Sequence, residues 1–158
     1  YLSNTPANTL LHFMTTVDIF ASGSFDDFVR YVCGLRKKFD TDRARTRVGF
    51  NVNYLRWPKH QQITLLDVAQ KDIFAAKMRA VVAELTVGGH DVQGNLYYEE
   101  VDQIERLIEW MYSQEATDEE LANFHNVFRE MDSRRGTDLL KTFPHLATVY
   151  NHMNFDCM

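Results

Sequence analysis

The densest run of chemically capable side chains in this sequence is Asn51, Asn53, Tyr54 and Arg56, within VGFNVNYLR. Amides, a phenol and a guanidinium at the C-terminal end of a parallel strand are groups that α/β folds use to hold a polar ligand. Arg56 can pair with a carboxylate or a phosphate. The plainer reading is that Arg56 stacks on Tyr54 or Trp57 at the surface, or pairs with an aspartate. Asp132, Arg134 and Arg135 form a second cluster. Two arginines at a helix end can hold an anion or another domain; the plainer reading is that they cap helix carbonyls in solvent.

Other chemistries find little support. The histidines are His12, His60, His90, His125, His145 and His152, and no pair has the HxxxH or HExxH spacing that sets two ligands on one helix face. His145 and His152 are seven apart and lack an obvious carboxylate partner. Gly88-Gly89 has neither a GxGxxG nor a GxxxxGK context, and there is no GxSxG elbow. The two cysteines, Cys33 and Cys157, form no CxxC pair. Cys33 reads as a buried, inert thiol, and one thiolate at Cys157 is weak support for a metal. This cysteine usage fits a reducing compartment, so a cytoplasmic location is expected.

The elements that must position these residues follow from periodicity. Residues 9–17 (TLLHFMTTV) read as a strand. Ser24 sits at a helix N-cap position, and Phe25, Phe28, Val29, Val32 and Leu35 form one stripe on a helix running to about Lys38. Residues 40–46 read as a polar connection. In the next strand Val48, Phe50, Val52 and Tyr54 point one way, and Gly49, Asn51 and Asn53 the other. Residues 61–66 (QQITLL) read as a short third strand. A helix follows from about Gln70, with Phe74, Met78, Val81, Val82 and Leu85 on one stripe. Tyr97 to Met111 reads as the next helix. Thr117 and Glu120 form a capping box that opens another, with Leu121, Phe124, Val127, Phe128 and Met131 inward and a break at residues 133–136. Pro144 starts a last short helix.

The 158 residues are enough for a real core. A net charge of −5 argues against a nucleic-acid partner, and no apolar run is long enough to span a membrane. The first residues do not read as a signal peptide. The order strand–helix–strand is one βαβ unit. Two or three strands are too few for a buried parallel sheet, so further strands are expected before residue 1.

Two stretches carry a resemblance: RVGFNVNYLRWPKHQQITLL (47–66) and REMDSRRGTDLLKTFPHLATVYNH (129–152). Together they resemble the C-terminal half of radical S-adenosylmethionine (SAM) proteins of the twitch-domain kind. Those have a late barrel strand ending in a PYLR-P-like sequence and a helical extension with a D-x-R-R-G-T-x-x-x-x-T-F-P-like motif. Here the motif stands as Asp132-Ser133-Arg134-Arg135-Gly136-Thr137, then Thr142-Phe143-Pro144. The opening strand and helix resemble the preceding part, so the likeness spans most of the chain.

The resemblance implies an α/β fold: the end of a partial (β/α)6 barrel over residues 1–66, then a helical twitch-like region over 67–158. It implies a [4Fe-4S] cluster on a CxxxCxxC-type loop and SAM across the barrel mouth in the complete protein. This chain has no cysteine triplet, so it is expected to bind neither group alone and to need an N-terminal barrel half as partner. A peptide or small molecule would be the substrate, with no nucleic acid or membrane involved. By the same likeness Thr15, Thr16, Asn51 and Asn53 are candidate SAM or substrate contacts, and Tyr54 and Arg56 candidate substrate contacts. Asp132, Arg134 and Arg135 would serve structure or domain docking. The alternative is a non-catalytic α/β binding module derived from that family. A histidine-based metal hydrolase is a distant third.

Overall fold

Alternation of apolar and polar residues makes two strands, β1 (Leu11–Val17) and β2 (Val48–Tyr54), which pair in parallel. An amphipathic helix, α1 (Phe25–Phe39), connects them. This computed structural model describes residues 2–4, 6, 9–40 and 47–151. Most of the polar connection, together with His152 and Cys157, lies outside the described residues. The remaining helices are α2 (Val68–Glu84), α3 (Tyr98–Tyr112), α4 (Asp118–Arg135), α5 (Leu139–Thr142) and α6 (Ala147–Tyr150). The chain is mixed α/β and mostly helical. No helix among the described residues is long and apolar enough to cross a membrane.

Residues 61–66 do not form a strand. They lie in two short 3-10 turns, Lys59–Gln61 and Ile63–Leu65. Local bonds from Leu65 N to Gln62 O and from Leu66 N to Ile63 O spend the backbone groups a strand would offer. The burial pattern agrees, because Ile63, Thr64, Leu65 and Leu66 are all buried, with no period of two. α4 also continues through Ser133–Arg135 before it stops. Gly136 ends it in the left-handed region, φ 64°, where a side chain would be strained.

The chain divides into two compact units. The first comprises Tyr1–Thr16, Ser24–Asn53 and Ala75–Ile108. Here Phe28 of α1 meets Phe13 and Phe50 edge-on, at 5.7 and 5.9 Å. Its neighbours on α1, Phe25, Val29, Val32 and Cys33, are buried, while Phe28 itself is half-buried. Burial pushes the Cys33 thiol up to about 11, so it stays protonated and inert.

The centre of this unit is Arg36, fully buried on α1. Its Nε donates to Val48 O at 2.8 Å, and its Nη1 to Asn95 O at 2.9 Å and Glu100 Oε2 at 2.8 Å. Nη2 donates to Glu100 Oε1, closing a bidentate pair. The guanidinium lies 4.2 Å from the Tyr97 ring centroid. Burial pulls its pKa down, but the Glu100 hydrogen bond and charge outweigh this, and the net direction is up.

The second unit comprises Val17–Gly23, Tyr54–Phe74 and Glu109–Met158. Phe20 is its aromatic hub, with Phe143 at 5.0 Å and Phe128 at 5.1 Å. Gly23 lies against His145, and a Cβ there would meet the His145 ring at 2.7 Å. The expected capping box opens α4 in full: Glu120 N donates to Thr117 Oγ1, and Thr117 N to Glu120 Oε2.

Removing the Glu100 carboxylate leaves Arg36 charged and buried. Glu100→Ala is expected to cost about 3–5 kcal/mol in urea unfolding. Glu84→Ala, at the exposed Arg30 pair, should stay within about 1 kcal/mol. Equal effects would contradict this account. A second expectation concerns acid. The Lys59 hydrogen bond, then that from Thr117, holds the Glu120 carboxyl below its ordinary value of 4.5. Its stabilising contribution is therefore complete above 4.5 and fades as pH falls through the lowered value. Carboxyl NMR titration should show the Glu120 midpoint rising in Lys59→Met; an unmoved midpoint would exonerate Lys59.

Candidate functional site

In the first unit the sheet has one covered face and one open face. Val48, Phe50 and Val52 are buried on the α1 side. By strand alternation His12, Met14 and Thr16 of β1 share the other face with Gly49, Asn51 and Asn53 of β2. Met14 is 74% exposed there. Asn51 Nδ2 reaches Met14 Sδ at 4.0 Å, and a Cβ on Gly49 would touch His12. Thr16, Asn51 and Asn53 thus lie together on the open face.

Thr15 is placed differently. It follows Phe13 on the covered face, and its hydroxyl donates to Asn51 O at 2.5 Å. That hydroxyl locks the two strands in register, while Asn53 Nδ2 donates to Thr15 O at 3.4 Å.

The two edges of the sheet also differ. On β2, Val48 O accepts from Arg36, and Val52 N donates to Gln103 Oε1 of α3 at 2.6 Å. Side chains therefore take up two of the outward backbone groups of that edge. On the far side of β1 there is no strand among the described residues.

In the second unit Tyr54 stacks on Trp110, centroids 4.4 Å apart and planes 18° from parallel. Arg56 lies over the Tyr54 ring at 5.1 Å and donates from Nη2 to its hydroxyl at 3.1 Å. Arg56 thus takes the stacked surface position, on Tyr54 rather than on the exposed Trp57.

The late cluster is a structural buckle. Asp132 accepts from Thr137 Oγ1 at 2.6 Å and from Leu139 N at 2.8 Å, fastening the turn after α4 to the start of α5. Arg134 pairs with Glu130 on the same helix. Arg135 is exposed beside an apolar cleft of about 330 Å³ lined by Phe20, Phe128, Met131 and Phe143.

Among the described residues the histidines are not gathered into one site. His90 Nδ1 contacts Leu96 O at 2.9 Å, and His125 Nδ1 contacts Tyr150 O at 2.8 Å. No group of three His, Cys, Asp or Glu among the described residues is placed to hold a metal. A [4Fe-4S] cluster needs several thiolates, whereas Cys33 is committed to the core and Cys157 is the only other cysteine. The residues here do not fit that group.

One chemically notable residue escaped the sequence pattern. Lys71 is buried on α2, with Nζ donating to Gln114 O at 2.8 Å. The signal was present: Lys71 precedes Phe74 by three and Met78 by seven, which is the phase of the apolar stripe.

Comparison with protein-family models, curated proteins and solved structures found no match for this chain. The functional reading therefore rests on geometry and on sequence resemblance.

If Asp132 is a buckle, Asp132→Ala should destabilise the chain by about 1–3 kcal/mol and speed amide exchange at Leu139. Arg134→Ala should remain within about 0.5 kcal/mol. The reverse ranking would assign the motif's weight to its arginines.

Proposed function

We propose that this chain is the C-terminal portion of a radical SAM enzyme of the twitch type, comprising the last strands of a partial (β/α)6 barrel and its helical extension. The observation that carries the reading is the asymmetry of the sheet. A terminal barrel strand needs its outer edge protected, and on β2 Arg36 and Gln103 take up Val48 O and Val52 N. The preceding strand needs a free edge for its neighbour, and the far edge of β1 carries no strand among the described residues. A βα barrel also needs helices on one face and ligand-facing side chains on the other. α1 covers the first face, and Thr16, Asn51 and Asn53 lie on the second.

In this reading the complete protein cleaves SAM reductively at a [4Fe-4S] cluster, to begin radical chemistry on a peptide or small molecule. The cluster thiolates come from an N-terminal barrel half. Thr16, Asn51 and Asn53 offer a hydroxyl and two amides to SAM or substrate. Thr15 acts behind them by holding β1 and β2 in register. Tyr54 and Arg56, joined to each other, are candidate substrate contacts.

The test begins with the coding region upstream of Tyr1. It should encode a CxxxCxxC-type triplet followed by strand–helix repeats. The full-length protein, reconstituted anaerobically, should then release 5′-deoxyadenosine from SAM. Asn51→Leu should keep the cluster absorbance and weaken SAM binding by about tenfold or more, the loss of one or two hydrogen bonds. A start codon immediately before Tyr1, or an upstream region without the triplet, would overturn the proposal and leave a ligand-binding module on the same open face.

A further inference from the structure

Lys71 is anomalous. Lysine is almost never fully buried without a partner charge, yet Lys71 is only 4% exposed. Among the described residues no carboxylate lies within ion-pairing distance of Nζ, and its one hydrogen bond goes to a neutral carbonyl, Gln114 O. Two of its three donor directions are unspent. The other five lysines, Lys37, Lys38, Lys59, Lys77 and Lys141, are exposed.

Lys71 also lines a cavity of about 320 Å³ within the second unit, which is the size of a small-molecule site. Leu65, Leu66, Ala116, Leu121 and Val149 supply apolar lining. The charged residues of the lining are Asp67, Lys71 and Glu115, one positive against two negative, so the net is −1. Asp67 is committed to Gln70 N at 2.8 Å as the cap of α2, and Glu115 is exposed. This balance disfavours an anionic ligand. A neutral, largely apolar molecule with one acceptor group suits it better.

We propose that Lys71 is an imine-forming amine and that this cavity takes an aldehyde or ketone with a short apolar body. The Nζ lone pair attacks the carbonyl carbon to form a C–N bond, and the carbonyl π pair moves to oxygen. Both nitrogen protons pass to that oxygen, which leaves as water, so no oxidant or reductant is required. Burial also draws the Lys71 pKa down, against the pull of Glu115 and Asp67, which raises the share of free amine at neutral pH. The inference concerns this chain's own residues and does not rest on the barrel reading.

Reductive alkylation tests it directly. The chain is treated with butyraldehyde and cyanoborohydride near neutral pH and mapped by peptide mass spectrometry. Lys71 should be labelled faster than any of the five exposed lysines, by about tenfold or more. Glyoxylate, an anionic aldehyde, should lose that preference. Lys71→Arg should abolish the fast label; should that variant fail to fold, the wild-type map still decides. Labelling of Lys71 slower than or equal to the exposed lysines would overturn the proposal and leave Nζ as a tie for the Gln114 carbonyl. A stronger preference with glyoxylate would overturn the ligand class.

Discussion

A buried guanidinium organises the first unit. Taking Arg36 out of water costs several kcal/mol, and that cost is offset only where every donor finds an acceptor. Its partners come from three places: the first residue of β2, the turn at Asn95, and Glu100 at the start of α3. Glu100 also accepts Tyr97 N at 3.0 Å, so the same carboxylate caps its own helix. One side chain thus fixes where α1 ends, where β2 begins and how the 95–100 turn is held. The open face of the sheet, with Thr16 and the two asparagines, is positioned by this arrangement on its covered side.

Local order was legible where one pattern dominated. The α1 stripe, the alternation of β2 and the T-x-x-E box each carry an unambiguous period or spacing, and each stands as read. Even there, Ser24 occupies the N-cap position without making a side-chain cap bond. Residues 61–66 misled because a short, continuously buried apolar run has no period that separates a strand from a turn. The role of Glu100 is hidden in the sequence, because a carboxylate in the first helical turn has a sufficient local explanation and its long-range partner is 64 positions away. Lys71 lay in phase with an apolar stripe, but a lysine is ordinarily assigned to the solvent side.

The candidate site was legible in part. Asn51 and Asn53 alternate against buried neighbours, so their shared face follows from the strand itself. Thr15 and Thr16 are adjacent, and adjacent strand residues face opposite ways. Only cross-strand pairing shows that the Thr15 hydroxyl is spent on Asn51 O. The late D-x-R-R-G-T motif names its own geometry in retrospect. Asp132 gathers the turn, Gly136 permits it, and Thr137 closes it.

The unequal edges of the sheet bear on self-association. A parallel pair with both edges free invites stacking without limit, the route to fibrils. Here β2 has spent Val48 O and Val52 N on side chains of its own chain. Only β1 retains an edge without a strand among the described residues. An incoming strand at this sheet therefore meets one edge with two outward groups already bonded and another without a strand among the described residues, so addition is directed to β1 rather than spread over both sides.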